Sequence, residues 1–106
     1  MSWEKIFTVT SLRNPDKVWT SAADFWADHA DAVQSSNSAN DAAEADGTLL
    51  SQSSVLNEGG QSVTYTKVYA SEDAWREYEA ANQDAIAEET TALSFEKVSS
   101  RIPEPA

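Results

Sequence analysis

The stretch that decides the fold is residues 48–70, TLLSQSSVLNEGGQSVTYTKVYA, in which two strand-like runs flank a short polar segment. The runs cover 48–56 and 61–70 and contain alternating β-branched, aromatic and small polar residues. Between them, Gly59 and Gly60 can adopt the positive φ that a tight hairpin turn requires. The stretch therefore predicts a β-hairpin in the middle of the chain.

A helix and a last strand are predicted after the hairpin. Ser71 is a suitable N-cap, and Glu72 and Asp73 are placed favourably near the helix N-terminus. The apolar residues that follow have helical spacing: Ala74, Trp75, Tyr78, Ala81, Ala85 and Ile86. Residues 92–100 predict a strand, and a proline-rich tail begins at about residue 101.

A strand, a helix and a loop are predicted before the hairpin. Residues 3–12 alternate as a strand does, and Asn14 and Pro15 are typical of a helix start. We expect this helix to run from Pro15 to about Val33. Residues 34–47 are small and polar without an apolar period, so they predict a loop, with at most one helical turn in it, that ends at the Asp46–Gly47 turn.

The predicted order of elements is β-α-β-β-α-β, within a single domain that covers residues 1–106. This order is typical of the ferredoxin-like α+β fold, a four-stranded antiparallel sheet with two helices on one face. Alternate residues of a strand lie on opposite faces of the sheet, and here both faces carry apolar, Ser, Thr and Gln residues with few charges. A face exposed to solvent usually has more Lys and Glu. We therefore expect the second face to pair with another copy, as a homodimer.

Composition argues against several classes of function. The net charge is −11, which repels phosphate backbones and anionic lipids, so neither nucleic acid nor membrane is an expected partner. One His and no Cys argue against a metal site, and no glycine-rich phosphate loop is present. Without a signal peptide pattern or a long apolar run, we expect a soluble, cytoplasmic protein.

His29 is the first candidate catalytic residue. On a helical projection it lies within an apolar stripe that includes Phe25, Trp26 and Val33. It could act as a general base or as a polar anchor in an aromatic pocket, since an imidazole titrates near neutral pH. The alternative is a neutral imidazole hydrogen-bonded in the core. The alternative is favoured, because no tuning partner is visible nearby in the sequence.

Lys67 is the second candidate, and it shares a strand face with Tyr65 and Tyr69. If this face meets the helices, Lys67 is a cation in an aromatic cavity, suited to an anionic ligand or an enolate. If it meets a partner or solvent, the lysine only extends its ammonium into water; this is favoured, since Lys is seldom buried unpaired. Trp19, Trp26, Trp75 and Tyr78 could line a ligand pocket, although aromatic residues at helical spacing are more often core.

Residues 67–81, KVYASEDAWREYEAA, resemble the dimeric α+β-barrel superfamily, and within it the antibiotic-biosynthesis-monooxygenase-like group. The resemblance rests on Tyr69, two residues before the capping Ser71, and it implies a homodimer with a ligand cavity in each subunit. Haem-degrading relatives carry a His on the second helix and an Asn in the first strand; residues 71–92 contain no His, and Thr8 and Thr10 stand in the strand. No cofactor is therefore expected.

Two functions follow as expectations. The first is a dimeric protein that binds a small organic molecule in an aromatic cavity, with cofactor-independent oxidation or isomerisation as the reaction that the resemblance implies. His29 would then accept a proton and Lys67 would stabilise an anion. The ligand-binding candidates that would form the walls of the cavity are Trp26, Tyr65, Tyr69, Trp75 and Tyr78. The alternative is a non-catalytic dimeric module whose aromatic residues are all core.

Overall fold

The computed structural model describes residues 1–102 and has an α+β architecture with one four-stranded antiparallel sheet. The strands are β1 (Trp3–Ser11), β2 (Leu49–Leu56), β3 (Ser62–Tyr69) and β4 (Leu93–Arg101). The helices are α1 (Ala22–Ala27), α2 (Ala30–Asp46), α3 (Glu72–Ala81) and α4 (Gln83–Glu89). The strand order is β2-β3-β1-β4, so the two central strands are β1 and β3.

The hydrophobic core lies on one side of this sheet. In the pairing of β1 with β3, Val9 lies opposite Val63, Phe7 opposite Tyr65, and Lys5 opposite Lys67. Strand residues of this parity contribute to both core clusters, where they pack with residues of the helices. Residues of the other parity on the same strands, such as Thr8 and Thr66, belong to neither cluster.

The prediction of two helices is wrong in number and in boundaries. Residues 15–21 are not helical; instead, the Trp19 N–H donates a hydrogen bond of 2.7 Å to the carbonyl of Gly60. Ser21 caps α1 through its hydroxyl, which accepts from the N–H of Asp24. The expected second helix is interrupted at Asn82, so it forms α3 and α4.

The loop predicted for residues 34–47 is also wrong, because α2 continues to Asp46 and ends at Gly47, which has a φ of 83°. This segment is rich in alanine, the best helix former. Its buried side consists of small and polar residues, among them Ser36, Asn40 and Ala43. A helix without a large apolar stripe produces no hydropathy period. The sequence pattern therefore did not predict this part of α2 as helical.

Several local predictions are confirmed. Strands β2 and β3 form the antiparallel hairpin, with φ values of 92° at Gly59 and 70° at Gly60. The Ser71 hydroxyl caps α3 by accepting from the N–H of Ala74. Strand β4 extends to Arg101, and the predicted proline-rich tail falls mainly on residues 103–106, outside the described residues. No helix within residues 1–102 is long and apolar enough to cross a membrane.

Candidate functional site

Two adjoining cavities lie between the sheet and the helices. The larger cavity has a volume of about 350 Å³ and is lined by Trp26, Val33, Ser36, Asn37, Asn40, Gln52, Ser53, Ser54, Tyr65, Glu89 and Phe95. The smaller cavity, of about 100 Å³, is lined by Phe7, Tyr65, Lys67, Tyr69, Tyr78, Glu79, Ile86, Glu89, Thr90 and Phe95. Three residues line both, so the cavities meet at Tyr65, Glu89 and Phe95.

Aromatic rings form one wall of the larger cavity. Trp26 of α1 contacts Tyr65 of β3 edge-on, with 5.4 Å between the ring centroids and an interplanar angle of 66°. The Trp26 indole is held in place because Nε1–H donates to the Ser54 hydroxyl at 3.0 Å. Since exposed residues of α2 and β2, Asn37 and Ser53, also line this cavity, it reaches the protein surface.

A buried hydrogen-bond network centred on Asn40 of α2 connects the two cavities. Its Oδ1 accepts from Lys67 Nζ at 2.9 Å and from the Tyr78 hydroxyl. Its Nδ2 is directed to Gln52 Oε1 and to the Tyr65 hydroxyl, at 3.4 and 3.3 Å. The Tyr65 hydroxyl donates to the same Gln52 oxygen at 2.6 Å. The side-chain amide of Asn40 therefore provides hydrogen-bond partners for buried polar groups of α3, β2 and β3.

Lys67 is buried on the side of the sheet that faces the helices, so the expectation that it meets a partner or solvent is wrong. Only 7% of the residue is exposed. Its Nζ lies 4.3, 5.2 and 5.9 Å from the ring centroids of Tyr78, Tyr69 and Tyr65. Burial lowers the pKa of Lys67 to about 8, against the opposing charges of Glu89 and Glu79. At neutral pH a larger fraction of this amine is therefore uncharged than in an exposed lysine.

Glu89, the last residue of α4, lines both cavities. Its carboxyl pKa is raised by burial, while a hydrogen bond with Ser36 and the charge of Lys67 oppose that effect. A carboxyl group and an amine with pKa values shifted towards neutrality therefore line the same small cavity. Such a pair can exchange protons with a bound molecule.

Lys5 lies opposite Lys67 in the register of β1 and β3 and is equally buried, with 4% exposure. Its Nζ lies 3.8 Å from the ring centroid of Trp75, and burial lowers its pKa as well. Unlike Lys67, it lines neither of the two cavities. The two central strands thus carry two buried amines, of which only Lys67 lines either of these two cavities.

His29, the first candidate from the sequence, lies apart from both cavities. It precedes α2, is completely buried, and packs against the rings of Trp19 and Phe25. Its Nδ1 lies 2.6 Å from the Phe25 carbonyl oxygen, so this nitrogen carries the hydrogen, because a carbonyl can only accept. Its Nε2 lies 2.7 Å from the Ser11 hydroxyl. Both ring nitrogens are thus used within the core.

The other candidate residues are divided between the cavities and the core. Tyr65 borders both cavities, Tyr69 and Tyr78 border the smaller one, and Trp26 borders the larger one. Trp75 lines neither, and its ring is stacked on that of Trp3 with 6.0 Å between centroids. Within residues 1–102, no three His, Asp or Glu side chains lie together as a metal site would require.

Sequence reasoning missed Asn40 and Glu89. Asn40 lies in the segment that the sequence predicts as a loop, and a residue of a surface loop is not expected to be buried in a site. Had the helix been recognised from its alanines, the four-residue spacing of Ser36 and Asn40 would have placed both on one face. Glu89 is the last residue of α4 and follows Ala87 and Glu88, which are both exposed. Nothing in the sequence of these three residues distinguishes Glu89 from its exposed neighbours.

Comparisons of the chain with protein-family models, with curated proteins and with solved structures find no match. The resemblance to the dimeric α+β-barrel superfamily therefore stays a prediction from residues 67–81. What the site can do follows from its geometry alone.

Proposed function

We propose that this protein binds a small organic molecule in the larger cavity, with its polar end directed towards Asn40 and Lys67. The observation that carries the proposal is an aromatic cavity of about 350 Å³ that adjoins a buried cation without a carboxylate within 4 Å among residues 1–102. Three aromatic rings, of Trp26, Tyr65 and Phe95, line this cavity together with polar side chains, and such a combination of aromatic surface and convergent polar groups is typical of ligand sites. A carbonyl or carboxylate oxygen is the ligand group that an ammonium would bind.

We further propose that the fold is ferredoxin-like and that two copies pair through the sheet face opposite the core. The strand order β2-β3-β1-β4, with four antiparallel strands, supports the first part. The second is supported by the composition of that face, where Ile6, Thr8, Thr66 and other uncharged residues predominate. A chain of net charge −11 repels its own copies, and this repulsion is weakest where the surface has few charges.

A second candidate function, a non-catalytic dimeric module, is favoured by the position of His29. Both nitrogens of this imidazole are used within the core, at 2.6 and 2.7 Å from their partners, so the residue has a structural role. The two candidates differ in one respect that can be measured: only the first requires a molecule in the larger cavity.

A substitution that fills the larger cavity distinguishes the ligand-binding protein from the non-catalytic module. Ser36 is buried, lines the larger cavity, and lies on α2, so Ser36→Leu places an apolar side chain in the volume that a ligand would occupy. We expect wild type, incubated with a mixture of small aromatic and aliphatic carboxylic acids, aldehydes and alcohols, to retain one of them in native mass spectra. Ser36→Leu should bind that molecule at least about tenfold more weakly, the effect of losing roughly 1.4 kcal/mol.

Ser38→Leu is the matched control, since Ser38 is an exposed serine of the same helix that lines neither cavity. It should retain the molecule as wild type does. Bare spectra for all three proteins, or equal retention in Ser36→Leu, would contradict ligand binding and favour the non-catalytic module. The same spectra report assembly, and a monomer in every sample would contradict pairing through the sheet.

A further inference from the structure

We propose that Lys67 is an amine nucleophile, which forms an imine with the carbonyl carbon of a small aldehyde or ketone in the smaller cavity. This inference rests on the proposed function, because the polar end of a molecule bound in the larger cavity would extend into the smaller cavity, which adjoins it at Tyr65, Glu89 and Phe95. It goes further in naming the ligand as a carbonyl compound and the bond that it forms.

The first support is the position of the amine. Lys67 Nζ is held by Asn40 Oδ1 at 2.9 Å, and no carboxylate lies within 4 Å of it among residues 1–102. Lysines are seldom buried without an ionic partner, and of the two that are buried here, Lys5 and Lys67, only Lys67 lines the smaller cavity. Because Lys67 lines the smaller cavity, a carbonyl carbon placed there would have access to the amine.

The second support is the protonation state. A lysine with a pKa of about 8 has on the order of a few hundred times more neutral amine at neutral pH than an ordinary lysine. Only the neutral form has the lone pair that attacks a carbonyl. The charged groups that act on Lys67, Glu89 of α4 and Glu79 of α3, oppose this effect but do not cancel it.

The third support is a group that can move the protons of the reaction. The neutral amine adds to the carbonyl carbon and forms a carbinolamine, which loses water with uptake of one proton to give a protonated imine. Glu89 lines the same cavity, and its raised pKa allows it to deliver a proton to the departing hydroxyl. No oxidant, reductant or metal is needed, since amine, carbonyl compound and proton yield the protonated imine and water.

Reductive trapping with butanal and sodium cyanoborohydride at neutral pH tests the proposal, with the modified lysines mapped by peptide mass spectrometry. The reductant converts each imine into a stable butylated lysine. We expect Lys67 to be butylated at least about tenfold faster than the exposed Lys17 and Lys97, because more of its amine is neutral. The exposed lysines serve as references within the same sample.

Lys5 is the matched control in the wild-type protein. It is as buried as Lys67 and its pKa is also lowered, but it lines neither cavity, so it should stay unmodified. Lys67→Arg keeps the positive charge and an N–H donor for Asn40 but cannot form an imine. This variant should lose the fast adduct alone. If it does not fold, the mapping of the wild-type lysines decides the question by itself.

Equal rates at Lys67 and the exposed lysines, or at Lys67 and Lys5, would overturn the proposal. Its failure is distinguishable from failure of the proposed function. A molecule retained by wild type and lost in Ser36→Leu, without a fast adduct at Lys67, contradicts the imine alone. A fast adduct without any retained molecule, and unchanged in Ser36→Leu, contradicts binding in the larger cavity.

Discussion

Asn40→Leu is expected to lower the free energy of unfolding by about 4 kcal/mol, because it leaves a buried ammonium group without its acceptor. Asn40 Oδ1 accepts hydrogen bonds from Lys67 Nζ and from the Tyr78 hydroxyl, and its Nδ2 donates to Gln52 Oε1 and to the Tyr65 hydroxyl. A leucine of similar size fills the space but offers no hydrogen bonds. Chemical denaturation followed by far-UV circular dichroism measures the loss.

The neighbouring Asn37 provides the control. It is exposed on the same helix and lines the larger cavity, so Asn37→Leu should change stability by no more than about 0.5 kcal/mol. Asn40→Asp keeps an oxygen acceptor for Lys67 and should restore part of the stability lost in Asn40→Leu. It should also slow butylation of Lys67, since an added carboxylate raises the pKa of the amine. Equal stability of Asn37→Leu and Asn40→Leu would contradict the role of the amide.

His29→Ala is expected to lower the free energy of unfolding by about 3 kcal/mol without changing ligand retention or butylation of Lys67. The ring is completely buried against Trp19 and Phe25, so its removal leaves a void in the core. It also removes the donor to the Phe25 carbonyl and the partner of the Ser11 hydroxyl. Thermal unfolding and native mass spectra of the same sample report both effects.

Ser11→Ala separates the cost of the void that His29→Ala leaves in the core from the cost of the lost hydrogen bond at Nε2. It removes the partner of Nε2 but leaves the ring in place, so it should cost only about 1 kcal/mol. A folded His29→Ala protein that no longer retains the molecule, while Ser11→Ala retains it, would show that His29 acts on the ligand. That result would restore the role of proton acceptor that the sequence suggested.

The elements that were predicted well are those with a local physical signal. The hairpin depends on two glycines with positive φ, and α3 begins where the Ser71 hydroxyl accepts from the N–H of Ala74. These interactions join residues that are at most a few positions apart, so the sequence displays them directly. The second half of α2 has no such signal, because it buries Ser36, Asn40 and Ala43 instead of large apolar residues.

The site itself could be predicted only in part. Tyr65, Lys67 and Tyr69 share one strand face because alternate residues of a strand point to the same side, and the sequence alone establishes this. Which side the helices cover is decided by the packing of α2 and α3 on the sheet, which brings Asn40 into hydrogen-bond contact with Lys67 and the Tyr78 ring to 4.3 Å from its Nζ. These partners are 27 and 11 positions away along the chain.

By itself, then, the sequence determined the four strands, the hairpin, the cap of α3 and the shared face of Lys67 and its tyrosines, all of which follow from short-range geometry. Only the tertiary structure decided that Lys67 is buried beside a cavity, that Glu89 adjoins it, and that His29 is used within the core. The physical reason is that burial and pKa depend on which distant segments pack together. No periodicity within a single element encodes that arrangement.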